Sequence, residues 1–410
     1  MVRKRHLYLI SGYDPVGAGG HYRRFVRGLA TFARTWNVTA AVSELSNPLA
    51  NAARHWTVTT QAGNWRVQST YHPMAWDDIV LADFARPIPQ RLARFGLAFL
   101  EFVQTGTAFR FFRTSFKYGL FFLFPMFHLI VFSVAGIALG RVIAAHWQLE
   151  GLASFLATAA VALAGFLGLL RWPGRRWRVS QALDDWIFSS DYLHRRRPDV
   201  EARLDQFAQD LVARVRAADC DEIVVIGHSL GATLAVSVVA RALMRDPALG
   251  TRGPSVCLLT VGSTIPKFTL HPDADQIRCE VALVALAPSI VWAEYHARAD
   301  PISFYKFDPA TGPVERDRFE RKPIIRLVRL RAMLEERTYR RIQLKFMRLH
   351  HQFVMANERR TAYDYYMMGC GPVAFERTVM AMSGAVDLIA ADGTLIERTT
   401  EPPARLAASA

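Results

Sequence analysis

Two long apolar runs lie close together near the middle of the 410-residue chain. Residues 118–140 and residues 151–170 contain no Asp, Glu, Lys or Arg. A helix of about 20 apolar residues is long enough to cross the hydrocarbon core of a bilayer. A buried helix of a soluble protein is the alternative for either run, but two such runs separated by ten residues favour membrane spans. We therefore predict a transmembrane helical hairpin over residues 118–170.

The charges around the two runs predict their orientation in a membrane. The ten-residue connector carries one arginine, Arg141, together with His146 and Glu150, whereas both outer flanks are basic. The basic flanking residues are Arg110, Arg113, Lys117, Arg171, Arg175, Arg176 and Arg178. Because basic loops stay on the cytoplasmic side, we expect a two-span protein of the cell membrane with both termini and the rest of the chain in the cytoplasm.

Small residues recur at every fourth position of the second run, at Ala160, Ala164 and Gly168. Small residues on one helical face allow two helices to approach closely within a membrane. We therefore expect this face of the second run to pack against the first run.

Strand and helix patterns alternate on both sides of the predicted hairpin. Short apolar runs at Leu7–Ile10, Ile223–Ile226 and Ser255–Val261 predict buried strands. This alternation predicts an α/β fold, with a parallel sheet and helices on both of its faces. Residues 1–117 would then form the N-terminal part of the domain with a pre-membrane helix, residues 171–395 its main part, and residues 396–410 a loose tail.

The pre-membrane segment is rich in phenylalanine and predicts one helix from Leu92 to Phe116 that continues into the first span. Its aromatic side chains fit a position at the membrane interface, where such residues are enriched. Ordinary packing within the protein is the alternative.

The segment Gly227-His228-Ser229-Leu230-Gly231 has the pattern G-x-S-x-G. The strand Ile223–Ile226 precedes it directly, and a helix pattern over Ala232–Met244 follows it. Strand, tight turn and helix are the context that a nucleophilic serine on a nucleophile elbow requires. The two glycines fit this turn because a Cβ at either position would meet neighbouring backbone.

In this motif and its context the chain resembles the α/β-hydrolase superfamily, and specifically its serine esterases and lipases. The resemblance is strongest over residues 220–300. It implies a catalytic triad in the chain order Ser, acid, His, with Ser229 as the nucleophile. It also implies an oxyanion hole formed by the N–H of Leu230 and by a second N–H from a loop after an early strand. The loop Ser11-Gly12-Tyr13 fits that place, with Tyr13 as the donor, although it lacks the His-Gly sequence common in this loop.

The acid and the base of the implied triad follow from chain order. The strand predicted at Ile290–His296 is followed by Asp300, which we favour as the acid, with Asp308 as the alternative. Only two histidines come after Asp300, namely His350 and His351. Adjacent side chains point apart, and we favour His350 because a helix pattern begins directly after the pair.

The 50 Lys and Arg residues exceed the 36 Asp and Glu residues, which gives a formal charge of +14. Twelve of the basic residues lie between Arg316 and Arg348, where apolar residues alternate with them. Such a stretch is typical of binding to a membrane surface, and a solvated face above core residues is the alternative. Nucleic acid is a poor fit, because no nucleic-acid-binding module is recognisable.

No cofactor or metal site is predicted. The four cysteines form no C-x-x-C pair, and the glycines between residues 12 and 20 match neither the P-loop nor the dinucleotide-binding spacing. The favoured function is a membrane-bound serine hydrolase that cleaves an acyl ester, with a lipid substrate suggested by its location. The alternatives are an acyltransferase or thioesterase with the same triad and a non-catalytic membrane scaffold.

Overall fold

A computed structural model describes residues 1–46 and 54–396 of the chain. Apart from residue 396, the tail predicted at 396–410 lies outside the described residues. The strands are β1 (Lys4–Ile10), β2 (Thr39–Val42), β3 (Trp56–Ala62), β4 (Trp65–Pro73), β5 (Glu222–His228), β6 (Ser255–Val261), β7 (Ile290–Ala297), β8 (Phe307–Asp308), β9 (Gly312–Pro313) and β10 (Ile324–Val328).

The helices surround these strands and extend well beyond them at the middle of the chain. They are α1 (Ala18–Trp36), α2 (Asp77–Phe84), α3 (Ile88–Gln104), α4 (Thr107–Thr114), α5 (Phe116–His146), α6 (Gly151–Arg171), α7 (Pro173–Arg176), α8 (Val179–Leu193), α9 (Pro198–Ala217), α10 (Leu230–Arg245), α11 (Ile265–Thr269), α12 (Asp275–Leu286), α13 (Glu336–Ile342), α14 (Phe346–His351), α15 (Tyr365–Cys370) and α16 (Phe375–Met380). Short 3₁₀ helices lie at Leu330–Met333 and Gln352–Val354.

The main sheet has eight strands in the order β10-β7-β6-β5-β1-β4-β3-β2. The six strands from β10 to β4 are parallel, and the hairpin strands β3 and β2 run antiparallel at one edge. The α/β class is therefore confirmed, whereas the sheet is mixed rather than wholly parallel. Strand β1 pairs with β4 on one side and β5 on the other, so one sheet contains strands from both sides of the apolar runs.

Alternate residues of the central strands supply two cores, one on each face of the sheet. In β1, Leu7 and Leu9 pack with α1 and α15, while Tyr8 and Ile10 pack with the core formed by α9, α10 and α12. Because side chains of a strand alternate between its faces, a strand covered on both faces reads as one continuous apolar run. All seven residues of β5 are buried for this reason.

Helices α5 and α6 are long and apolar enough to span a membrane. Large apolar side chains on them remain exposed, for example Phe127 at 60% and Phe155 at 68%. The predicted contact face of α6 is wrong, because Ala160, Ala164 and Gly168 are all exposed. The contact surface of α6 is formed by Thr158, Ala162 and Gly165 instead, opposite Gly136 and Gly140 of α5.

The single helix predicted from Leu92 to Phe116 is in fact α3, α4 and the start of α5. Gly106 in the left-handed region separates α3 from α4, and extended Ser115 separates α4 from α5. Phe102 and Phe111 of this segment are fully buried, and the ring of Phe102 lies 5.1 Å from that of Trp186. Phe102 and Phe111 therefore pack inside the protein, whereas Phe109 and Phe116 of the same segment are exposed.

The basic stretch from Arg316 to Arg348 does not form one amphipathic helix. It contains β10, a 3₁₀ helix, α13 and the start of α14. The apolar residues Ile324, Leu330 and Leu334 within it are buried. This placement favours a solvated face above core residues over a separate membrane-surface segment.

Candidate active site

Ser229 occupies the tight turn between β5 and α10, directly at the helix N-terminus. Its backbone has φ 59° and ψ −129°, a conformation that a residue with a Cβ rarely adopts. The N–H of Ser229 donates to the Val261 carbonyl at 3.1 Å, which ties the turn to the end of β6. The side chain is half-buried, so the hydroxyl group remains accessible at the carboxyl edge of the sheet.

Two glycines make this turn possible, as the sequence pattern predicts. A Cβ on Gly227 would lie 2.5 Å from the Cα of Ala232 and 2.7 Å from the Gly231 carbonyl oxygen. A Cβ on Gly231 would collide with the backbone of Ser11, in the loop after β1. The turn therefore lies directly against the loop that the sequence singled out at residues 11–13.

Asp300 and His350 are hydrogen-bonded to each other although 50 residues separate them. Asp300 lies three residues beyond β7, and His350 lies on the short helix α14. His350 Nδ1 and Asp300 Oδ2 are 2.8 Å apart, and both side chains are buried. The other oxygen, Asp300 Oδ1, accepts the N–H of Ile302 at 3.0 Å, which fixes the carboxylate.

His350 and Ser229 line the same two cavities, described below, so the structure brings the predicted base to the predicted nucleophile. The hydrogen bond expected between Ser229 Oγ and His350 does not form. His350 Nε2 is buried and has no hydrogen-bond partner within residues 1–46 and 54–396. This nitrogen is the one not engaged by Asp300.

The alternative acid Asp308 and the alternative base His351 make different contacts. Asp308 is fully buried in the small sheet of β8 and β9, where it pairs with Arg318 and accepts the Thr311 hydroxyl at 2.6 Å. His351 lies at the same cavity as Ser229, but its Nδ1 donates to the carbonyl of its own helix at Met347 and its Nε2 lies 3.7 Å from Asp14. Neither contact resembles the one between Asp300 and His350.

The residues expected to form an oxyanion hole flank Ser229. Leu230 begins α10, so its N–H has no acceptor within the helix. Tyr13 follows β1 and lines both cavities next to Ser229. Its carbonyl accepts the Gln181 side chain at 2.6 Å, and its hydroxyl donates to Asp83 Oδ2 at 2.7 Å. These bonds hold the loop after β1 in place.

His228 is a site residue that the sequence analysis did not single out. Its ring lies 4.6 Å from the ring of His350, and its Nε2–H donates to the His350 carbonyl at 3.1 Å. Burial and the neighbouring rings of His350 and His351 hold the pKa of His228 well below its usual value, so it is neutral. The motif residue before the serine thus connects the elbow to α14. No local sequence signal indicates a contact with a carbonyl 122 residues away.

Two cavities of different chemistry meet at Ser229. We call the first the arginine cleft; its charged residues and histidines are Asp14, His21, Arg24, Arg178, His228, His350 and His351. We call the second the aromatic cavity, which shares Arg178 and His350 with the first. Its apolar wall includes Tyr118, Phe121 and Phe124 of α5, together with Trp177 and Phe346.

One group of side chains in the described chain has the spacing of a metal site, far from Ser229 at the opposite edge of the sheet. Donor atoms of His6, Asp219 and Cys220 lie within 4.8 Å of one another. Lys4 and Arg214 each approach Asp219 to 3.3 Å, and their positive charges oppose the binding of a cation there. The sequence analysis did not anticipate this group.

Comparison with known proteins gives no relative on which to base a function. No protein-family model, no curated protein and no solved structure matches the chain. The functional argument therefore depends on the residues and geometry of this structure alone.

Proposed function

We propose that the protein is a serine hydrolase of the α/β-hydrolase type that cleaves acyl esters, with Ser229, His350 and Asp300 as its triad. The observation that carries the proposal is the buried hydrogen bond between Asp300 and His350 beside a serine in a strained turn. His350 Nε2 has no hydrogen-bond partner in the described part of the chain, and His350 lines the same cavity as Ser229. Catalytic hydrogen bonds are often long or misaligned before substrate binds, and we expect the bond from Ser229 to form then.

The proposed reaction has two stages. Ser229 Oγ attacks the carbonyl carbon of the ester while His350 Nε2 takes its proton, and Asp300 stabilises the imidazolium. The carbon–oxygen bond to the alcohol breaks, and the leaving oxygen takes the proton from His350. Water then attacks the acyl-enzyme while His350 takes a proton from it. The bond to Ser229 Oγ breaks, His350 returns the proton to Oγ, and the carboxylic acid departs and loses its proton to solvent.

The negative charge on the former carbonyl oxygen requires hydrogen-bond donors during both stages. In this proposal the N–H groups of Leu230 and Tyr13 supply them. The N-terminus of α10 adds the positive end of a helix dipole at the same place.

We propose that the enzyme acts at the cell membrane, with α5 and α6 as two spans. The exposed apolar side chains of these helices support this location, since such surface is unfavourable in water. The basic residues on both outer flanks favour a cytoplasmic position for both termini and for the sheet that carries Ser229. An acyltransferase or thioesterase would use the same triad, and product analysis separates these reactions.

A fluorophosphonate probe, which reacts with activated serines, tests the proposal with the purified full-length protein. We expect the wild type to be labelled and to hydrolyse a short soluble ester. Ser229→Ala should abolish both, and His350→Ala should nearly do so. His351→Ala should retain most of both, because His351 contacts Asp14 rather than Asp300.

Ser255→Ala is the matched control, because Ser255 is an exposed serine at the opposite end of the sheet. Each variant should unfold at nearly the wild-type temperature. Labelling that persists in Ser229→Ala would refute the proposed nucleophile. A wild-type protein that neither reacts nor hydrolyses any ester would support the scaffold alternative.

A further inference from the structure

The two cavities that meet at Ser229 differ in what they can hold, and this difference bears on the substrate. We propose that the substrate is a long-chain acyl ester or thioester with an anionic leaving group, whose hydrocarbon chain occupies the aromatic cavity and whose anionic group occupies the arginine cleft. This inference rests on the proposed function, because it assigns the two sides of the bond that Ser229 attacks.

The aromatic cavity has the character of a hydrocarbon site. Tyr118, Phe121 and Phe124 are spaced three residues apart on α5, so they lie on one face of that helix and form one wall. Of the charged residues that line it, Lys267 and Asp185 are paired with each other, with Nζ and Oδ2 2.6 Å apart, and Arg178 is shared with the arginine cleft.

The position of this wall also indicates where the hydrocarbon chain comes from. Phe121 and Phe124 lie on the same helix as Phe127, which is 60% exposed and faces outward. Apolar side chains of one membrane-length helix therefore lie both at the cavity beside Ser229 and on the outward face of the helix. A site for a small polar ester would not need a wall contributed by a membrane-length helix.

The arginine cleft has an excess of positive charge. It is lined by two guanidinium groups, those of Arg24 and Arg178, and by one carboxylate, that of Asp14. Arg24 Nη2 lies 3.9 Å from Asp14 Oδ2, too far for a hydrogen bond. Within the described residues, the side-chain hydrogen bond of Arg178 goes to the neutral amide of Gln181, at 3.2 Å. Burial and the charge of Arg24 lower the pKa of His21 to about 4, so this histidine is neutral at pH 7.

Arginines without a bidentate carboxylate partner retain donors for a phosphate or carboxylate group. His350, which must return a proton to the leaving group, lines this cleft as well as the aromatic cavity. A leaving group in the arginine cleft therefore lies next to His350, and its anionic group faces Arg24, which lines this cleft and not the aromatic cavity. A phosphorylated alcohol of a lipid and the phosphate-bearing thiol of a soluble acyl carrier share this anionic chemistry.

The test compares three oleoyl compounds with the full-length protein in phosphatidylcholine nanodiscs. They are oleoyl lysophosphatidate, oleoyl-coenzyme A and monoolein, which has a neutral leaving group. We expect kcat/KM for at least one anionic compound to exceed that for monoolein by about tenfold or more. Whichever anionic compound is preferred identifies the source of the anionic group, lipid or soluble carrier.

Arginine variants test the cleft itself. Arg24→Gln and Arg178→Gln should each lower kcat/KM for the preferred anionic compound about tenfold, the typical loss of a hydrogen bond to a charged group, and should lower kcat/KM for monoolein much less. Arg23→Gln is the matched control, because Arg23 is exposed and does not line the cleft. Equal losses for all three compounds, or faster cleavage of monoolein, would overturn the assignment.

Tryptophan substitutions test the hydrocarbon site. Phe121→Trp should fill part of the aromatic cavity and reduce hydrolysis of oleoyl esters while sparing a butyryl ester. Phe127→Trp, on the outward face of the same helix, should change neither. If Phe121→Trp affects both chain lengths equally, the acyl chain does not lie in this cavity.

Binding measurements separate this inference from the proposed function. Ser229→Ala keeps both cavities, so it should bind the preferred anionic compound more tightly than monoolein whether or not the wild type hydrolyses esters. Absence of hydrolysis with this binding preference would refute the proposed function alone. Hydrolysis of a short ester without any preference among the oleoyl compounds would refute the present inference alone.

Discussion

At the scale of single residues, the bond between Asp300 and His350 determines which nitrogen of the imidazole carries the proton. A carboxylate only accepts hydrogen bonds, so Nδ1 must be the donor. A neutral imidazole has one donor and one acceptor nitrogen, which leaves Nε2 unprotonated. Nε2 is the nitrogen without a partner in the described chain, and it is therefore the one available to accept the proton of Ser229.

Replacing Asp300 by asparagine should cost about 10⁴ in kcat, as the equivalent change does in serine proteases, because the amide can stabilise the wrong tautomer. Asp308→Asn provides the contrast. It breaks the buried pair with Arg318 and should lower the free energy of unfolding by about 3–5 kcal/mol while the folded fraction keeps its activity. Turnover lost in Asp308→Asn and retained in Asp300→Asn would reverse the assignment.

The buried histidines His6 and His72 make stability depend on pH. Burial lowers the pKa of His6 to about 4 and that of His72 to about 3, against about 6.5 in the unfolded chain. Between pH 6.5 and 4 the unfolded state therefore binds more protons, so these groups favour folding less as the pH falls. Burial raises the pKa of the carboxyl groups of Asp184 and Asp364 to about 6. These two groups therefore favour folding more as the pH falls, opposite to the two histidines.

A variant comparison isolates one of these histidines. The unfolding temperature of His72→Gln should fall less than that of the wild type between pH 7 and pH 4.5, because one buried imidazole no longer has to take up a proton. His146→Gln, an exposed position after the first membrane-length helix, should follow the wild type. Thermal unfolding in one detergent at several pH values gives the change of unfolding temperature with pH for each protein. Equal changes in the wild type and in His72→Gln would contradict the prediction.

At the scale of elements, the strands around Ser229 were the most predictable part. Strand β6 spans the predicted residues 255–261. Strand β5 extends the predicted run Ile223–Ile226 by one residue before it and two after it, and β7 extends the predicted Ile290–His296 by one residue. Strands buried on both faces appear in the sequence as continuous apolar runs, so adjacent residues alone are enough to predict them. The elbow was predictable for the same reason, since strand, glycines and helix are all adjacent in sequence.

Other features depended on contacts between residues far apart in the sequence, which sequence periodicity does not reveal. The break before α5 has a local signal, since the Ser115 side chain caps the helix, but the apolar pattern continues through it. Elimination left only His350 and His351 after Asp300, and the choice of His350 rested on a helix expected directly after the pair, where the structure has the short 3₁₀ helix Gln352–Val354. The contact face of α6 was wrongly predicted because that helix has small residues on more than one face.

The observed contact face gives a prediction about the hairpin of α5 and α6. A Cβ at Gly136 would lie 2.6 Å from the Ala162 carbonyl oxygen, so Gly136→Leu should force the helices apart and lower the unfolding temperature in detergent. Gly168→Leu should have little effect, because nothing lies within 4 Å of that position. Equal effects of the two changes would show that the helices do not pack through Gly136.

At the scale of the whole molecule, the proposed membrane orientation can be tested with native and introduced cysteines. Gln148→Cys places a thiol in the connector between the two membrane-length helices, whereas Cys279 is exposed on α12. In intact cells an impermeant maleimide should label Gln148→Cys, prepared in a Cys279→Ser background. It should not label Cys279 of the wild type until the cells are opened. Labelling of Cys279 in intact cells would place the sheet outside.

The pairing of β1 with both β4 and β5 has a consequence for how the chain folds during synthesis. Strand β5, one of the two neighbours of β1, begins at Glu222, so it leaves the ribosome long after β1. Both membrane-length helices precede that residue, so they emerge while the centre of the sheet is still unpaired on one side. Chains fold from the N-terminus during synthesis, and an unpaired central strand is prone to aggregate. Assembly of the site around Ser229 therefore follows the emergence of the helical hairpin from the ribosome.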